Sequence, residues 1–543
     1  MTDSTAYDKM RRDYSPARHS HYNFARDVID VWAEKEPAKR ALLWVSEAGI
    51  RRDVTFAELA ERSCRLANVL AGAGVKRGDT VIIVLGRQLA WWETLTACIR
   101  AGFIASPGTT QLSAKDLIYR AEASGAVAII TDSTTAQKLN AAKEPLPASL
   151  ATKIVVDSEA EGWQDYEALV AAASPSFAAV NTAVEDSALC YFTSGTTGYP
   201  KMTMHSHGYP LGHEITGRYW LDLKPDDLHW NISDTGWAKA AWSSYFAPWL
   251  MGAALFVWDT PGFDPAASLA MFGRYPITTM CGAPTIYRLF VQQDLKSFSF
   301  PHLRHCVGAG EPLNPEVIER WREATNLTIR DGYGQTETVL LCGSFPCIDT
   351  KPGSMGKPSP GLDLHVIDEE GRILPPGEEG DIALSLLPIR PQWLFSGYRN
   401  DPERTASCFR GDWYLTGDRA YRDDEGYFWF VSRADDVILS SGYRIGPFEV
   451  ESALIEHPAV MESAVVSSPD PVRGEIVAAY IVLAKGFTAS AALEKELQNH
   501  VKSVTAPYKY PRKIIFTGEL PKTVSGKIRR TDLRAQEWSS KPQ

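Results

Sequence analysis

Apolar runs rich in valine and isoleucine alternate with segments of helical periodicity through the first half of the chain. TVIIVLG (80–86), AVAIITD (126–132), KIVVD (153–157), ALCYFTSG (188–195) and AALFVWD (253–259) read as buried strands of mainly parallel sheets. Between such runs, FAELAERSCRLANVLAGAG (56–74) has the spacing of an amphipathic helix and ends in glycine, as helices often do. Strand–helix alternation of this kind predicts an α/β fold, with parallel and mixed sheets covered by helices. At 543 residues the chain is too long for one core, so two or more domains are expected. The texture changes past residue 430. A charged break, Arg433-Ala434-Asp435-Asp436, leads into a helix near 449–456, AVVSSPD (464–470), VAAYIVLA (477–484), a helix near 490–504 and KIIFTG (513–518). This predicts a large domain over 1–432 and a small α+β domain over 433–543.

The formal net charge of −10 argues against a general nucleic-acid binder, although an anionic ligand can still occupy a local basic pocket. No window offers the ~18 consecutive apolar residues of a membrane span. The first residues lack the apolar core of a secretory signal, and a cytoplasmic enzyme is the expectation. The eight cysteines are scattered, and the CGSFPC pair Cys342/Cys347 fits neither a zinc knuckle nor a redox motif. HEITG at 213–217 begins like a zinc-protease helix, but Gly217 stands where the second histidine belongs.

Five stretches carry chemistry. YFTSGTTGYPK (191–201) offers the hydroxyls of Thr193, Ser194, Thr196 and Thr197, two glycines, Gly195 and Gly198, and the ammonium of Lys201. That donor density directly after a strand suits a polyphosphate, but it is also compatible with a solvated turn, and the spacing is not that of a P-loop. HCVGAGEPL (305–313) and IRDGYGQTET (329–338) are strands ending in small residues, where α/β sheets open their ligand crevices. Tyr333 can stack on a purine or pack in the core, and Glu337, beside Thr336, can hold Mg²⁺ or be solvated. In WYLTGDRA (413–420), Asp418 follows a glycine at a predicted strand end, suited to ribose hydroxyls or to a turn. PKTVSGKIRR (521–530) shapes a loop around Lys527, in a place where a lysine is ordinarily just solvated.

In this order, YFTSGTTGYPK, DGYGQTET, YLTGD, SRADDVI and PKTVSGK resemble the signatures of the adenylate-forming superfamily, and the resemblance covers essentially the whole chain. YNFARDVIDVWAEKEPAKRALLWV, RQLAWWETLTACIRAG and WNISDTGWAKAAWSSYFAPW narrow it to the medium-chain acyl-CoA synthetase branch. The resemblance implies a two-step ligase using ATP, Mg²⁺ and coenzyme A. A carboxylate is first joined to AMP with release of pyrophosphate, and the acyl group then passes to CoA. It implies that the 193–201 stretch grips the β- and γ-phosphates. Gly310, Glu311 and Pro312 would line one face of the adenine and Tyr333 the other, with Asp331 and Gly332 alongside. Thr336 would touch the α-phosphate, Glu337 would bind the metal, and Asp418 with Arg433 would hold the ribose. Lys527 would bridge carboxylate and α-phosphate during adenylation. A mobile small domain, hinged at Asp435, would then withdraw Lys527 and bring in Ser441, Gly442 and Arg444 to form the pantetheine channel.

Acetate-specific relatives carry a tryptophan immediately before the QTET glutamine, where this chain has Gly334. With Trp237, Gly282, Gly308 and Gly332 at the other matching positions, an open pocket for medium-chain, branched or small aromatic acids is expected. An acyl-AMP ligase loading a carrier protein is the nearest alternative, and the basic stretch APYKYPRK (506–513) mildly favours CoA. A non-catalytic nucleotide-binding regulator is disfavoured by intact Lys527, Glu337 and Asp418. The expected partners are small molecules, with neither nucleic acid nor membrane among them, and a homodimer is allowed.

Overall fold

The computed structural model describes residues 4–193, 200–311, 313–433, 436–440, 443–471, 473–523 and 527–539. Four sheets organise them. The first runs, from one edge, through Gly397–Tyr398, Lys201–Ser206, Ser187–Thr193, Ile104–Gly108, Thr80–Val84, Ala128–Thr131, Thr152–Val155 and Gln164–Asp165. All its strands run one way except Lys201–Ser206, which is antiparallel to both neighbours. All five apolar runs of the sequence are strands. Thr80–Val84 and Ala128–Thr131 are buried along their whole length, as the continuous apolar character requires of a sheet covered on both faces.

The helix Phe56–Gly72 shows how local sequence sets an element. The Thr55 side chain accepts the Glu58 N–H at 3.1 Å and caps its start. Phe56, Leu59, Ser63, Leu66, Ala67 and Leu70 recur at helical spacing and are all buried. Burial of each large side chain stabilises the fold by roughly 1.5–3 kcal/mol.

The second sheet has parallel central strands Arg40–Ser46, Ala254–Asp259, Leu228–Ile232, Thr279–Gly282, His305–Ala309 and Ile329–Gly334, with antiparallel strands at both edges. Its register places Gly282 beside Gly308, and Gly308 beside Asp331, so three strands end together at one edge. The third sheet is antiparallel and includes Trp413–Arg422 paired with Phe428–Arg433. The fourth, built from Ile438–Ser440, Tyr443–Ile445, Val460–Asp470, Gly474–Leu483 and Lys513–Phe516, has its own core of Ile438, Ile445, Val450, Leu454, Val465, Ile481, Leu497 and Val501. No helix among the described residues is long and apolar enough to cross a membrane.

Asp418 departs from expectation. It lies inside the ten-residue strand Trp413–Arg422, not at a strand end. Opposite it the register slips, with Arg419 facing Asp381 and Leu415 facing Ala383. Gly417 takes φ +73°, a conformation other residues rarely adopt. Tyr414, Thr416, Asp418 and Ala420 are buried in plain alternation, so the pleat of the strand turns the carboxylate inward, and the bulge leaves that alternation intact.

Candidate active site

The ends of the second and third sheets bring the site together. Asp418 is 4% exposed and accepts the Tyr333 hydroxyl at 2.5 Å and Gln335 Nε2 at 2.7 Å, both on Oδ2. Arg433, directly opposite across the ladder, reaches Oδ1 through Nε at 3.1 Å. Burial raises the Asp418 pKa, and Arg433, Tyr333, Gln335 and Lys527 act in that order to hold it down. Burial and the Asp418 charge keep the Tyr333 phenol protonated, so it donates. Gln335 Nε2 also donates to the Thr416 carbonyl at 2.7 Å, and Tyr414 donates to Gln335 Oε1 at 3.2 Å. The sequence pattern alone does not single out Gln335 as the brace of this node, although it sits inside the QTET signature.

Glu337 lies across from Lys201. Its Oε1 accepts the Tyr398 hydroxyl at 2.7 Å, and the Lys201 ammonium sits 5.1 Å from the centre of the same tyrosine ring. Burial and the Arg404 guanidinium push the Lys201 pKa down, and Glu337 opposes them. No group of three or more metal-ligating side chains occurs among the described residues. One carboxylate with a second oxygen beyond its tyrosine bond does suit Mg²⁺, which takes few protein ligands when phosphates and water supply the rest. Thr336 is fixed through its carbonyl, which accepts His205 Nε2 at 2.7 Å. That bond sets the imidazole tautomer, and burial drives the His205 pKa down to about 3, so the ring stays neutral.

Thr193 ends its strand opposite Lys201. Ser194, Gly195, Thr196, Thr197, Gly198, Pro312, Asp435, Ser441 and Gly442 lie outside the described residues, as does the side chain of Arg444. Gly310 has φ +108° and open space where a Cβ would project. Glu311 pairs with Arg288 at 3.0 Å. Asp331 is turned onto its own backbone, accepting the Gly332 N–H at 2.8 Å, and burial lifts its pKa to about 7.

The acyl-side glycines are not openings of the kind the sequence suggests. A Cβ on Gly334 would lie 2.5 Å from the Trp242 ring and 2.3 Å from the Val339 carbonyl oxygen. On Gly332 it would lie 2.4 Å from Trp220. Indoles from other elements fill those volumes, so the glycines permit close approach and leave no void. Gly282 and Gly308 face Tyr287 and the core behind the sheet. Trp237 stands at the start of the short helix Ala238–Ala241, its buried indole N–H without a partner. The same helix carries Lys239, a lone cation in an apolar run. Its ammonium donates to the carbonyls of Gly282 at 2.9 Å and Ala309 at 2.6 Å, tying two strand ends together.

Lys527 is exposed, and its loop closes on Thr523, whose N–H donates to the Lys527 carbonyl at 2.7 Å. Its charge nevertheless acts on both Asp418 and Lys239. Lys527 therefore lies within electrostatic reach of the crevice.

Residues 29–399 match the model of the AMP-binding enzyme family, and residues 449–527 match that of the AMP-binding enzyme C-terminal domain. The chain belongs to the AMP-binding enzyme family. It is 50% identical to human acyl-coenzyme A synthetase ACSM3, mitochondrial, over 543 aligned residues, covering 98% of this chain and 93% of that one. Among solved structures, the anthranilate CoA ligase AuaEII in complex with anthranoyl-AMP superposes with a TM-score of 0.87 at 29% identity, covering 96% of this chain and 98% of that one. A benzoate CoA ligase from Burkholderia xenovorans LB400 gives 0.82 at 28%, covering 94% and 100%. As an AMP-forming acid–thiol ligase, the family member uses ATP, Mg²⁺ and CoA. The cytoplasmic expectation is corrected, because a relative sharing half its residues over nearly the whole chain is mitochondrial. Compartment is addressed by short targeting segments, and the composition of a folded body does not report it.

Proposed function

We propose that this acyl-CoA synthetase activates a medium-chain or small aromatic carboxylate where the second and third sheets meet the Lys527 loop. The observation that carries the reading is the Asp418 node, a buried carboxylate oriented by Tyr333, Gln335 and Arg433 within reach of the Lys527 charge. In the first half-reaction a carboxylate oxygen attacks the α-phosphorus of ATP and pyrophosphate leaves with the bonding electrons. Asp418 accepts the ribose hydroxyls, and Arg433 opposes the upward push of burial on its pKa. Tyr333 and Gly310 flank the adenine. Thr336, its carbonyl pinned by His205, meets the α-phosphate, and Lys201 meets the outer phosphates. Lys527 lies between the two anions and offsets their repulsion, the kind of fixed charge that supplies most of the rate in such chemistry. The bound metal, held at Glu337, would screen the phosphate charge. In the second half-reaction the CoA thiolate attacks the acyl carbonyl carbon and AMP departs. Rotation at Asp435 would bring Ser441, Gly442 and Arg444 to the thiol channel, with the domain division proposed at 433–436.

The benzoate and anthranilate ligases among the structural relatives support an aromatic acid, and the medium-chain synthetases support an aliphatic one. Mass spectrometry of a competition among straight-chain, branched and aromatic acids with Mg·ATP and CoA tests the reading. A dominant acyl-CoA is expected and names the acid. Acyl-AMP without thioester would move the acceptor to a carrier protein, and absence of both products would remove the ligase reading. A second copy of the chain is the remaining partner we propose, and light scattering of the purified protein decides it.

A further inference from the structure

Beside the phosphate stretch lies a cavity of about 330 Å³, near the lower end of small-molecule sites, lined by Lys201, Tyr398, Arg399, Asp401 and Arg404, with Tyr119 at its rim. Three cations share it with one carboxylate. Asp401 is already engaged, its Oδ1 accepting the Arg404 backbone N–H at 3.0 Å. Arg399 donates to the Thr80 hydroxyl at 3.2 Å, a neutral partner. Among the described residues neither Arg404, Arg399 nor Lys201 has a carboxylate within ion-pair distance, although Arg404 and Lys201 are half-buried. The two repel each other, which depresses Lys201 beyond the effect of burial alone. A fold does not ordinarily crowd unpaired cations into a recess, because each loses solvation without compensation. An anion entering the cavity would relieve both.

The position of the cavity says which anion. Tyr398 is its shared wall, with the hydroxyl on Glu337 and the ring under Lys201. A group leaving the α-phosphate past Glu337 and Lys201 arrives here directly. We propose that this cavity receives the pyrophosphate leaving group, held chiefly by Arg404, an assignment that rests on the ligase reading above. A condensed phosphate carries enough charge for the excess of cations, and the guanidinium fork matches two of its oxygens.

The test is calorimetric titration of magnesium pyrophosphate, orthophosphate and AMP into the full-length wild type, R404Q and R404K. In R404Q the pyrophosphate affinity is expected to fall about tenfold relative to that for AMP, with R404K between the two. An unchanged ratio overturns the site. Orthophosphate binding as tight as pyrophosphate overturns the leaving-group assignment in favour of a general phosphate site. If R404Q does not fold, hydrogen exchange on the wild type decides the matter. Pyrophosphate should protect amides 398–405 where orthophosphate does not, and no protection refutes the proposal. The parent reading fails separately, by absence of acyl-AMP from the wild type with every acid tried.

Discussion

Asp418 and Lys527 are aimed at one crevice from opposite kinds of support. Asp418 is 4% exposed on a long paired strand and has three side-chain donors around it. Lys527 is exposed on a short loop, closed by Thr523 and a bridge between Lys522 and Ile528. The contrast separates recognition from reaction. A group that only binds gains from being locked in place beforehand, because its ordering cost is met in folding. A group needed in one half-reaction and unwanted in the next has to be removable, so few bonds hold it.

The sharpest break of this comparison is Lys527→Ala. Loss of an ammonium at the reacting phosphate should slow acyl-AMP formation about 10³-fold. Thioester formation from supplied acyl-AMP should persist, with the melting temperature unmoved. Equal loss of both half-reactions would mean that Lys527 is not confined to adenylation. Next is Asp418→Ala, which should lower kcat/KM for ATP about 100-fold and also destabilise the fold by about 3 kcal/mol, since Arg433 and two buried donors lose their partner. Calorimetry showing an unchanged melting temperature would contradict the locked character of this node.

Asp331 tests whether burial itself carries a cost. Its folded pKa of about 7 lies above the ordinary 3.8, so the folded chain holds this proton more tightly than the unfolded chain. The contribution to stability is therefore complete below pH ~4 and lost as pH rises to ~7. Denaturant unfolding of wild type and Asp331→Asn at pH 5 and pH 8 should show the wild type losing about 2 kcal/mol relative to the variant. Parallel pH profiles would show that Asp331 is already ionised in the fold. The smallest effect should come from Lys522→Ala at the base of the Lys527 loop. Its ion pair with Glu462 at 2.8 Å is partly exposed, so stability should change by less than ~0.5 kcal/mol. A larger change would mean the loop is as firmly built as the Asp418 strand.

The sheets were legible because period and composition act locally, and all five apolar runs became strands. The residues proposed for the nucleotide stood out because glycine, threonine and charge cluster in a few short stretches. What could not be read was long-range. Asp418 lies inside a strand and is braced by Tyr333 and Gln335 from another sheet, partners that no window around YLTGD reveals. Lys239 matters through two carbonyls 43 and 70 positions away. Gly334 looked like a vacancy until Trp242 was found against it, an approach made by a different element.

That last contact constrains any lineage, natural or engineered, that changes acyl specificity here. A bulky side chain at position 334 collides with Trp242 and with a backbone carbonyl, and only the first can be traded away. A walk toward an indole at 334 must therefore both give up Trp242 and shift the backbone at Val339, whose carbonyl oxygen lies 2.3 Å from where a Cβ would project. The two positions are historically coupled, so sequences sampled along such a path should never show both residues large at once.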